Sequence, residues 1–302
     1  DAVIVDWMRS PFHRAHKGAL MAVRPDEMAG QVARALLSRN NILADQIDDL
    51  LLGCAYPEGE QGYNVARLVS FLSGLPDTVP GATFNRLCGS SMEAIHVAAG
   101  KISTGSGNCF LVGGMESMSR VKRRGFNWCP HPGLEESYPE AYINMGITAE
   151  NVADKYSISR IRQEEFALSS HEKSHLAQLE GNFENEICAI VHGEETIDSD
   201  GCIRPSSNLE SMAGLNPVFK ETGTVTAATS SPLTDGVAFC IVCSEGFAIE
   251  NGLNPIARIV STSVTGCPPE LMGLGPIAAS RLCVERAGWS IDDVDIWELN
   301  EA

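Results

Sequence analysis

The sequence predicts an α/β protein in which helices cover a sheet in layers, with two related halves and an inserted region of less regular structure. Three observations favour this class. Apolar runs typical of buried strands alternate with amphipathic helical patterns through residues 1–116. A helix, turn and strand pattern of the first half returns near the end of the sequence. Between these parts, basic residues, Gly, Pro and Trp interrupt the periodicity.

The elements of the first half follow in chain order. A short apolar run predicts a strand at residues 2–5, and apolar residues at the spacing of one helix face predict a helix at 24–39. The other predicted elements are a turn and strand at 47–53, helices at 64–75 and 88–102, and strands at 82–87 and 109–112. Helices return near residues 149–180, inside the less regular region. Such alternation is typical of a sheet with helices packed on it.

An internal repeat pairs residues 32–37 and 47–52 with residues 279–284 and 291–296. Both copies contain an Ile-Asp-Asp turn, which taken alone could match by chance. The second copy stops soon after this turn, so we expect an incomplete second half and a natural protein that continues past Ala302. The predicted segments are a first half at 1–116, an inserted loop domain at 117–233, a return to the first half at 234–254 and the start of the second half at 255–302.

Composition limits the classes of function. A length of 302 residues is typical of about two domains. The excess of 39 Asp and Glu over 22 Lys and Arg gives a net charge of -17, which excludes broad, sequence-independent attraction to nucleic acid or anionic membrane. No apolar run approaches the roughly 20 residues of a membrane span. Ten scattered cysteines indicate a reducing compartment, and we expect a cytoplasmic protein.

Two sets of cysteines could carry chemistry. Cys240 and Cys243 form the only C-x-x-C, but they lie in an apolar run and we interpret them as core residues rather than zinc or redox ligands. Cys88 lies where an apolar strand gives way to a helix, and a helix N-terminus favours a thiolate. Cys88 is therefore a candidate nucleophile, and its backbone N–H a candidate oxyanion donor. On this segment alone, a buried cysteine that fills a helix start is an equal alternative.

The motif at residues 85–91, Asn-Arg-Leu-Cys-Gly-Ser-Ser, resembles the nucleophile motif of the thiolases, the acyl-CoA:acetyl-CoA C-acyltransferases. Six further blocks resemble thiolase motifs in the family's order, and together they span the sequence. They lie at residues 61–67, 113–119, 145–151, 223–231, 272–276 and 300–302. The motifs are most similar to those of the degradative 3-ketoacyl-CoA thiolases of bacterial fatty-acid β-oxidation. The resemblance implies a thiolase-like fold of duplicated α-β-α layered halves.

The resemblance also implies residue roles. Cys88 would take the acyl group, and Asn300 would hold a water that helps to bind the thioester oxygen. The implied CoA contacts are Arg204 and Ser211 at the nucleotide end, Ala227 and Ser231 along the pantetheine arm, and Met145 beside the acyl pocket. A forked Arg donor suits phosphate, and small residues leave room for a narrow amide-bearing arm. CoA is then a co-substrate, and we expect no metal and no covalently bound cofactor.

Three residues of this sequence differ from the family pattern, and we expect these differences to change the affinity for CoA more than the type of reaction. The family's glycine in the pantetheine block is Ala228 here, its Arg before Pro217 is Asn216, and its usual later proline is Ala278. A methyl group at Ala228 narrows the CoA groove or demands a negative φ. The family's Gly-His-Pro and Cys-x-Gly motifs follow its Asn-Glu-Ala block, so this sequence contains neither. His131 is no substitute, no histidine is assigned as the base, and we expect this segment alone not to turn over.

The resemblance implies ping-pong thiolytic cleavage of a 3-ketoacyl-CoA. Three alternatives stay open: biosynthetic condensation of two acetyl-CoA, a non-catalytic CoA or lipid carrier on the same fold, and a component of a multienzyme complex retained for assembly. Members of the family are dimers, and some pair with a β-oxidation hydratase/dehydrogenase subunit. We therefore expect a homodimer that binds acyl-CoA and CoA, with such a subunit as the candidate partner.

Overall fold

The computed structural model describes residues 1–40 and 42–302, and its main feature is one mixed sheet. The strands are β1 (Ala2–Arg9), β2 (His13–Arg14), β3 (Asp49–Gly53), β4 (Gly81–Phe84), β5 (Cys109–Ser117), β6 (Ile190–His192), β7 (Glu195–Ile197), β8 (Thr234–Ser244) and β9 (Ala257–Arg258). The main sheet has the order β4-β3-β5-β8-β1-β9, with β2 paired to β8, while β6 and β7 form a separate hairpin. β3 runs parallel to β4 and β5, whereas β8 runs antiparallel to β5 and β1.

Helices and short 3-10 turns connect these strands. The α-helices are α1 (Pro25–Asn40), α2 (Val65–Leu72), α3 (Ser90–Ser103), α4 (Pro132–Ser137), α5 (Met145–Tyr156), α6 (Arg160–Leu179), α7 (Leu209–Ala213), α8 (Glu245–Glu250) and α9 (Gly275–Ala287). The 3-10 helices are Ala19–Ala22, Ala44–Gln46, Gly59–Gln61, Pro139–Tyr142, Pro269–Leu274 and Ile291–Asp293. Within the described residues, every helix is too short or too polar to cross a membrane.

Two apolar clusters form the layers on the two faces of the sheet. Side chains alternate between faces along a strand, so Leu50 and Leu52 of β3 pack with buried residues of α1 and α2. Leu51 points to the opposite face, where Ala94 and Ala98 of α3 cover it. The strand thus lies between helical layers. The α/β class predicted from the sequence is confirmed.

The chain divides into two compact units. The first unit comprises Asp1–Trp128, Asn182–Cys202 and Leu233–Val260, and it contains the whole main sheet. The second unit comprises Cys129–Gly181, Ile203–Pro232 and Ser261–Ala302. These boundaries follow contacts between residues rather than evolutionary domains, so the predicted segments 1–116, 117–233, 234–254 and 255–302 stay a prediction.

The segment Asn182–Cys202 lies in the first unit because Arg9 holds it. Arg9 Nε donates to Glu186 Oε1 at 2.7 Å, and its two Nη atoms each donate to an Asp200 oxygen at 2.8 Å. The guanidinium also stacks near the ring of Phe183. Burial lowers the pKa of Arg9, but the hydrogen bonds and charges of Asp200 and Glu186 outweigh it and leave that pKa raised. One half-buried cation therefore fixes both ends of the segment to β1.

The second copy of the internal repeat forms only in part. α9 and the 3-10 turn Ile291–Asp293 match the predicted helix and turn, just as α1 and Ala44–Gln46 do in the first copy. The strand predicted to follow the turn is wrong: residues 294–302 pair with no strand of the described chain. A strand requires a neighbouring backbone for its hydrogen bonds, and Ile296 is 85% exposed.

Candidate active site

Cys88 lies in the tight connection between β4 and α3. The sequence predicts a helix that begins near Cys88, and the helix begins two residues later at Ser90. Gly53 at the end of β3 makes this approach possible, because a Cβ at Gly53 would lie 2.3 Å from the Ser90 carbonyl carbon. The start of α3 therefore packs directly on the carboxyl end of β3, and Cys88 lies at that edge of the sheet.

The residue before the cysteine has a left-handed backbone. Leu87 has a φ of 48°, a conformation that costs a non-glycine residue roughly 1–2 kcal/mol. Three hydrogen bonds hold the turn: Asn85 Oδ1 accepts from Leu87 N at 2.8 Å, Ser90 Oγ donates to Leu87 O at 2.5 Å, and Arg86 N donates to Ser90 Oγ at 2.9 Å. The turn is thus fixed on both sides of Leu87.

Exposure distinguishes Cys88 from most cysteines of the first unit. Cys88 is exposed, whereas Cys54, Cys109 and Cys243 are buried. Burial raises the pKa of Cys54 to about 12 and that of Cys243 to about 11, so these thiols stay protonated and unreactive near neutral pH. The alternative in which Cys88 is a buried filler of a helix start is therefore wrong.

The C-x-x-C pair is divided between the two faces of β8. Cys243 belongs to the apolar cluster under α1 and α2, and Cys240 packs against the cluster under α3. Residues three apart on a strand point to opposite faces, so the two thiols cannot share a ligand. Burial raises the pKa of Cys240 to about 12. Among the described residues, no group of three His, Cys, Asp or Glu has the geometry to hold a metal.

A hydrogen-bond network connects the exposed Asn85, in the turn before Cys88, to the partly buried Glu116 of β5. Asn85 Nδ2 donates to Ala55 O at 3.0 Å, and Ala55 N donates to Glu116 Oε2 at 2.7 Å. The fully buried Gln61 donates from Nε2 to Glu116 Oε1 at 2.5 Å. Burial raises the pKa of Glu116, while the hydrogen bonds from Ala55 and Gln61 oppose this rise. These bonds connect the end of β5 to the residues around Cys88.

Charged groups lie on both sides of Cys88 in the sequence, at Arg86 before it and on the first turns of α3 after it. Arg86 Nε donates to Glu93 Oε2 at 2.9 Å, and this hydrogen bond lowers the pKa of Glu93. His96 Nδ1 lies 3.8 Å from Glu93 Oε2. Burial lowers the pKa of His96, so its imidazole is mainly neutral near neutral pH.

The six other predicted site residues all lie in the second unit. Arg204 is exposed and donates its backbone N–H to His171 Nδ1 at 3.3 Å. Ser211 is exposed on α7, where its N–H donates to Asn208 Oδ1 and its Oγ to Asn208 O, both at 2.9 Å. The guanidinium of Arg204 and the surface around Ser211 are thus open to an anionic ligand.

Residues 223–231, called here the pantetheine block for its proposed ligand, contact the Asn-Glu-Ala block at residues 300–302 in the second unit. Ser231 N donates to Ala302 O at 2.9 Å, and Ala302 N donates to Asn300 Oδ1 at 2.7 Å. Ala227 is exposed in the same block as Ser231. Ala302 therefore hydrogen-bonds both to Ser231 and to Asn300.

Met145 and Ala228 both lie in the second unit. Met145 is the first residue of α5, after the N-cap Asn144, whose side chain accepts from Gly146 N. Ala228, where the family has glycine, does not adopt a positive φ, so its methyl group causes no backbone strain.

A buried carboxylate that the sequence analysis gave no role holds the pantetheine block. Glu150 of α5 is fully buried, and its oxygens accept from Thr224 N at 2.9 Å and from Val225 N at 2.8 Å. A Cβ at Gly223 would lie 2.2 Å from Glu150 Oε1, so a side chain there would displace the carboxylate. The signal was present in the sequence: Gly146, Glu150 and Ala153 follow the inward stripe of an amphipathic helix.

A second buried carboxylate acts on the segment that contains Ser211. Glu164 of α6 accepts from Arg160 Nε at 2.7 Å and is 2% exposed. Arg160 Nη2 then donates to the carbonyl oxygens of Met212, Ala213 and Leu215. The guanidinium thus binds carbonyl groups at the end of the short helix α7 and holds this end against α6.

Family models match nearly the whole chain. Residues 2–246 match "Thiolase, N-terminal domain", and residues 253–302 match "Thiolase, C-terminal domain". The 3-ketoacyl-CoA thiolase of Serratia proteamaculans (strain 568) is 45% identical over 310 residues, which cover 100% of this chain and 80% of that protein. The 3-ketoacyl-CoA thiolase of Saccharophagus degradans is 43% identical over 309 residues, covering 100% of this chain and 79% of its own length.

A solved structure shows the same architecture. The crystal structure of the acetyl-CoA acetyltransferase of Bacillus anthracis superposes with a TM-score of 0.88 at 36% sequence identity. The match covers 98% of this chain and 78% of that chain. Sequence and fold therefore agree on one family.

Proposed function

The chain belongs to the thiolase family and is an acyltransferase, and from that premise we propose that it cleaves 3-ketoacyl-CoA with free CoA in fatty-acid β-oxidation. The products would be acetyl-CoA and an acyl-CoA shortened by two carbons. The exposed thiol of Cys88 at the strand-to-helix turn carries the proposal. The names of the relatives support the reaction, and the geometry of the turn supports the nucleophile.

The proposed reaction has two halves. The Cys88 thiolate attacks the C3 ketone, and the electron pair of that carbonyl moves to its oxygen. When the carbonyl re-forms, the C2–C3 bond breaks, the acyl group stays on Cys88 as a thioester, and its electrons leave on the α-carbon of acetyl-CoA, which then takes up a proton. The thiol of free CoA next attacks the thioester and releases the Cys88 thiolate. We assign no residue of this segment to the proton transfers.

CoA would bind mainly to the second unit. Arg204 and Ser211 are proposed to contact the nucleotide end, because both are exposed and polar. Ala227 and Ser231 are proposed to line the pantetheine arm, and Met145 the acyl pocket. Asn300 would hold the oxyanion water, and the hydrogen bond from Ser231 N to Ala302 O, two residues after Asn300, supports this proposal.

The test is acylation of the complete gene product. After incubation with a 3-ketoacyl-CoA in the absence of free CoA, mass spectrometry should find one acyl group on Cys88. Cys88→Ala should lose both the label and CoA-dependent cleavage, whereas Cys129→Ala, which removes another exposed thiol, should keep both. An acyl label on the Cys88→Ala protein would contradict the assignment.

The biosynthetic direction, in which two acetyl-CoA condense, is the second candidate, since the similar solved structure is an acetyl-CoA acetyltransferase. Both directions use the same residues. Activity on long 3-ketoacyl-CoA favours degradation, and activity confined to acetoacetyl-CoA favours synthesis. Tight CoA binding without acylation of Cys88 would indicate a carrier instead.

We further propose a cytoplasmic homodimer, with a hydratase/dehydrogenase subunit as its candidate partner and residues 117–233 as the loop domain that contacts CoA. The family resemblance supports each of these. Sedimentation of the complete protein, alone and with that subunit, tests both assemblies. A monomer that does not bind the subunit would contradict both.

A further inference from the structure

We propose that Asn85 is a positioning residue for the nucleophile: its side-chain amide connects the left-handed turn before Cys88 to the backbone of Ala55, which the partly buried Glu116 carboxylate holds in place. The inference rests on the proposed function, because it takes Cys88 as the nucleophile. Neither Asn85 nor Glu116 reacts in the proposed steps, and each acts on Cys88 only through the backbone.

Asn85 uses both ends of its amide group. Oδ1 accepts from Leu87 N at 2.8 Å, while Nδ2 donates to Ala55 O at 3.0 Å. Rotation of the amide would break both bonds, since oxygen would then face a carbonyl and nitrogen an N–H. Asn85 therefore fixes the N–H of Leu87 relative to a separate loop, in the conformation with a φ of 48°.

The loop at Cys54 and Ala55, to which Asn85 Nδ2 donates, is itself hydrogen-bonded to two strands of the sheet. Cys54 N donates to Phe84 O at 2.9 Å, and Ala55 N donates to Glu116 Oε2 at 2.7 Å. Gln61 donates to the second oxygen of Glu116, so both carboxylate oxygens act as acceptors. Because Glu116 belongs to β5, the Ala55 carbonyl is a fixed point of the sheet and not part of a free loop.

The position of the Cys88 thiol depends on this connection. Cys88 directly follows Leu87, so the backbone angles of Leu87 set the direction of the Cα–Cβ bond of Cys88. Ser90 Oγ holds the carbonyl of Leu87, and Asn85 holds its N–H. Loss of Asn85 leaves one side of the turn free, and a misplacement of about 1 Å at a reacting atom can cost about a hundredfold in rate.

The experiment compares three variants of the complete protein. Asn85→Ala removes both hydrogen bonds of the side chain. Asn85→Ser keeps an oxygen that can accept from the N–H two residues on, but it is too short to reach Ala55. The control is Asn251→Ala at the end of α8, where the amide also makes two hydrogen bonds, with Phe247 O and Gln46 Nε2. The readouts are hydrogen exchange at the Leu87 amide and the kcat and KM for cleavage of acetoacetyl-CoA.

For Asn85→Ala we expect faster exchange at Leu87 and a kcat lowered by about tenfold to a hundredfold, with KM changed by less than about twofold. Asn85→Ser should recover part of the lost kcat, and Asn251→Ala should match the wild type in both readouts. If Asn85→Ala does not fold, Asn85→Ser alone should show an intermediate loss of kcat.

Two results would overturn the proposal. Unchanged exchange at Leu87 in the Asn85 variants would show that the amide does not hold the turn. Faster exchange with a wild-type kcat would show that the turn does not position the thiol. Turnover by Cys88→Ala would instead contradict the proposed function, and the exchange measurement at Leu87 would distinguish that failure from this one.

Discussion

The two compact units differ in what holds them together. The first unit contains the main sheet and both apolar clusters. In the second unit, as far as the chain is described, the buried hydrophobic residues are Ala153, Met212 and Val225, while Glu150 and Glu164 are also buried. The unit with the proposed nucleophile thus depends on apolar packing. The unit with the proposed CoA contacts depends on carboxylates that hydrogen-bond to loops, directly or through an arginine.

This difference suits the two proposed tasks. A nucleophile must stay within a fraction of an ångström of its attack position, and packed apolar layers give that rigidity. A long, polar ligand needs loops with free backbone and side-chain groups, and such loops have little apolar surface to bury. Buried carboxylates can fix these loops without an apolar core, provided that every oxygen has a donor.

The largest effect should come from the apolar core of the first unit. Ile241 of β8 is fully buried, so Ile241→Ala should lower the free energy of unfolding by about 2–5 kcal/mol. Ile249→Ala, at a position 73% exposed, should change it by less than about 0.5 kcal/mol. Denaturant unfolding measures both. Equal losses would show that burial in this cluster is not what stabilises the unit.

A smaller and more local effect should come from the second unit. In Glu150→Gln, an amide NH₂ group must face the N–H groups of Thr224 or Val225, and an unmade buried hydrogen bond costs about 1–3 kcal/mol. We expect the KM for CoA to rise by about tenfold, with a smaller change in kcat. The control is Glu165→Gln, the same change at an exposed glutamate of α6 in the same unit. A wild-type KM in Glu150→Gln would mean that the carboxylate does not shape the CoA site.

The smallest effect should come from a surface ion pair of the first unit. Arg120 Nε donates to Glu60 Oε2 at 2.7 Å, and this hydrogen bond lowers the pKa of Glu60. A lowered pKa stabilises the fold above the ordinary value of 4.5, and the gain is lost as the pH falls through the lowered value. Because both side chains are partly exposed, Glu60→Gln should cost less than about 1 kcal/mol near neutral pH.

Unfolding of wild type and Glu60→Gln at two pH values measures this contribution. The difference in unfolding free energy should shrink as the pH drops below 4.5. A difference that grows on acidification would reverse the sign of the linkage, and would mean that the pair does not stabilise the charged form of Glu60.

Sequence patterns predicted the elements of the first half well, because those elements bury one regular face. The helix predicted at 24–39 is α1 at Pro25–Asn40, and the strand predicted at 109–112 is the start of β5. The strand at 291–296 was wrong because periodicity cannot reveal whether a pairing partner is present. The attachment of residues 182–202 to β1 through Arg9 could not be predicted, since it joins residues far apart in sequence.

The candidate site was predictable to a similar extent. Motif order identified Cys88, whose exposure and place at the edge of the sheet agree with a nucleophile. The helical spacing of α5 places Glu150 on the inward face, but the partners of Asn85, Glu116 and Glu150 could not be predicted, because each side chain bonds to the backbone of a distant segment. The left-handed Leu87 leaves no mark in the sequence, since leucine rarely adopts that conformation.

The hydrogen bonds that Glu150 accepts from the backbone of residues 224 and 225 have a consequence for the evolution of this protein. The two closest donors to Glu150 are peptide N–H groups, which every residue except proline provides. A mutation at position 224 to any residue except proline can therefore change the side chain while the backbone hydrogen bond persists, whereas a side chain at position 223 would displace the Glu150 carboxylate. Selection can thus change the side chain at position 224 without loss of the hydrogen bond from its backbone to Glu150.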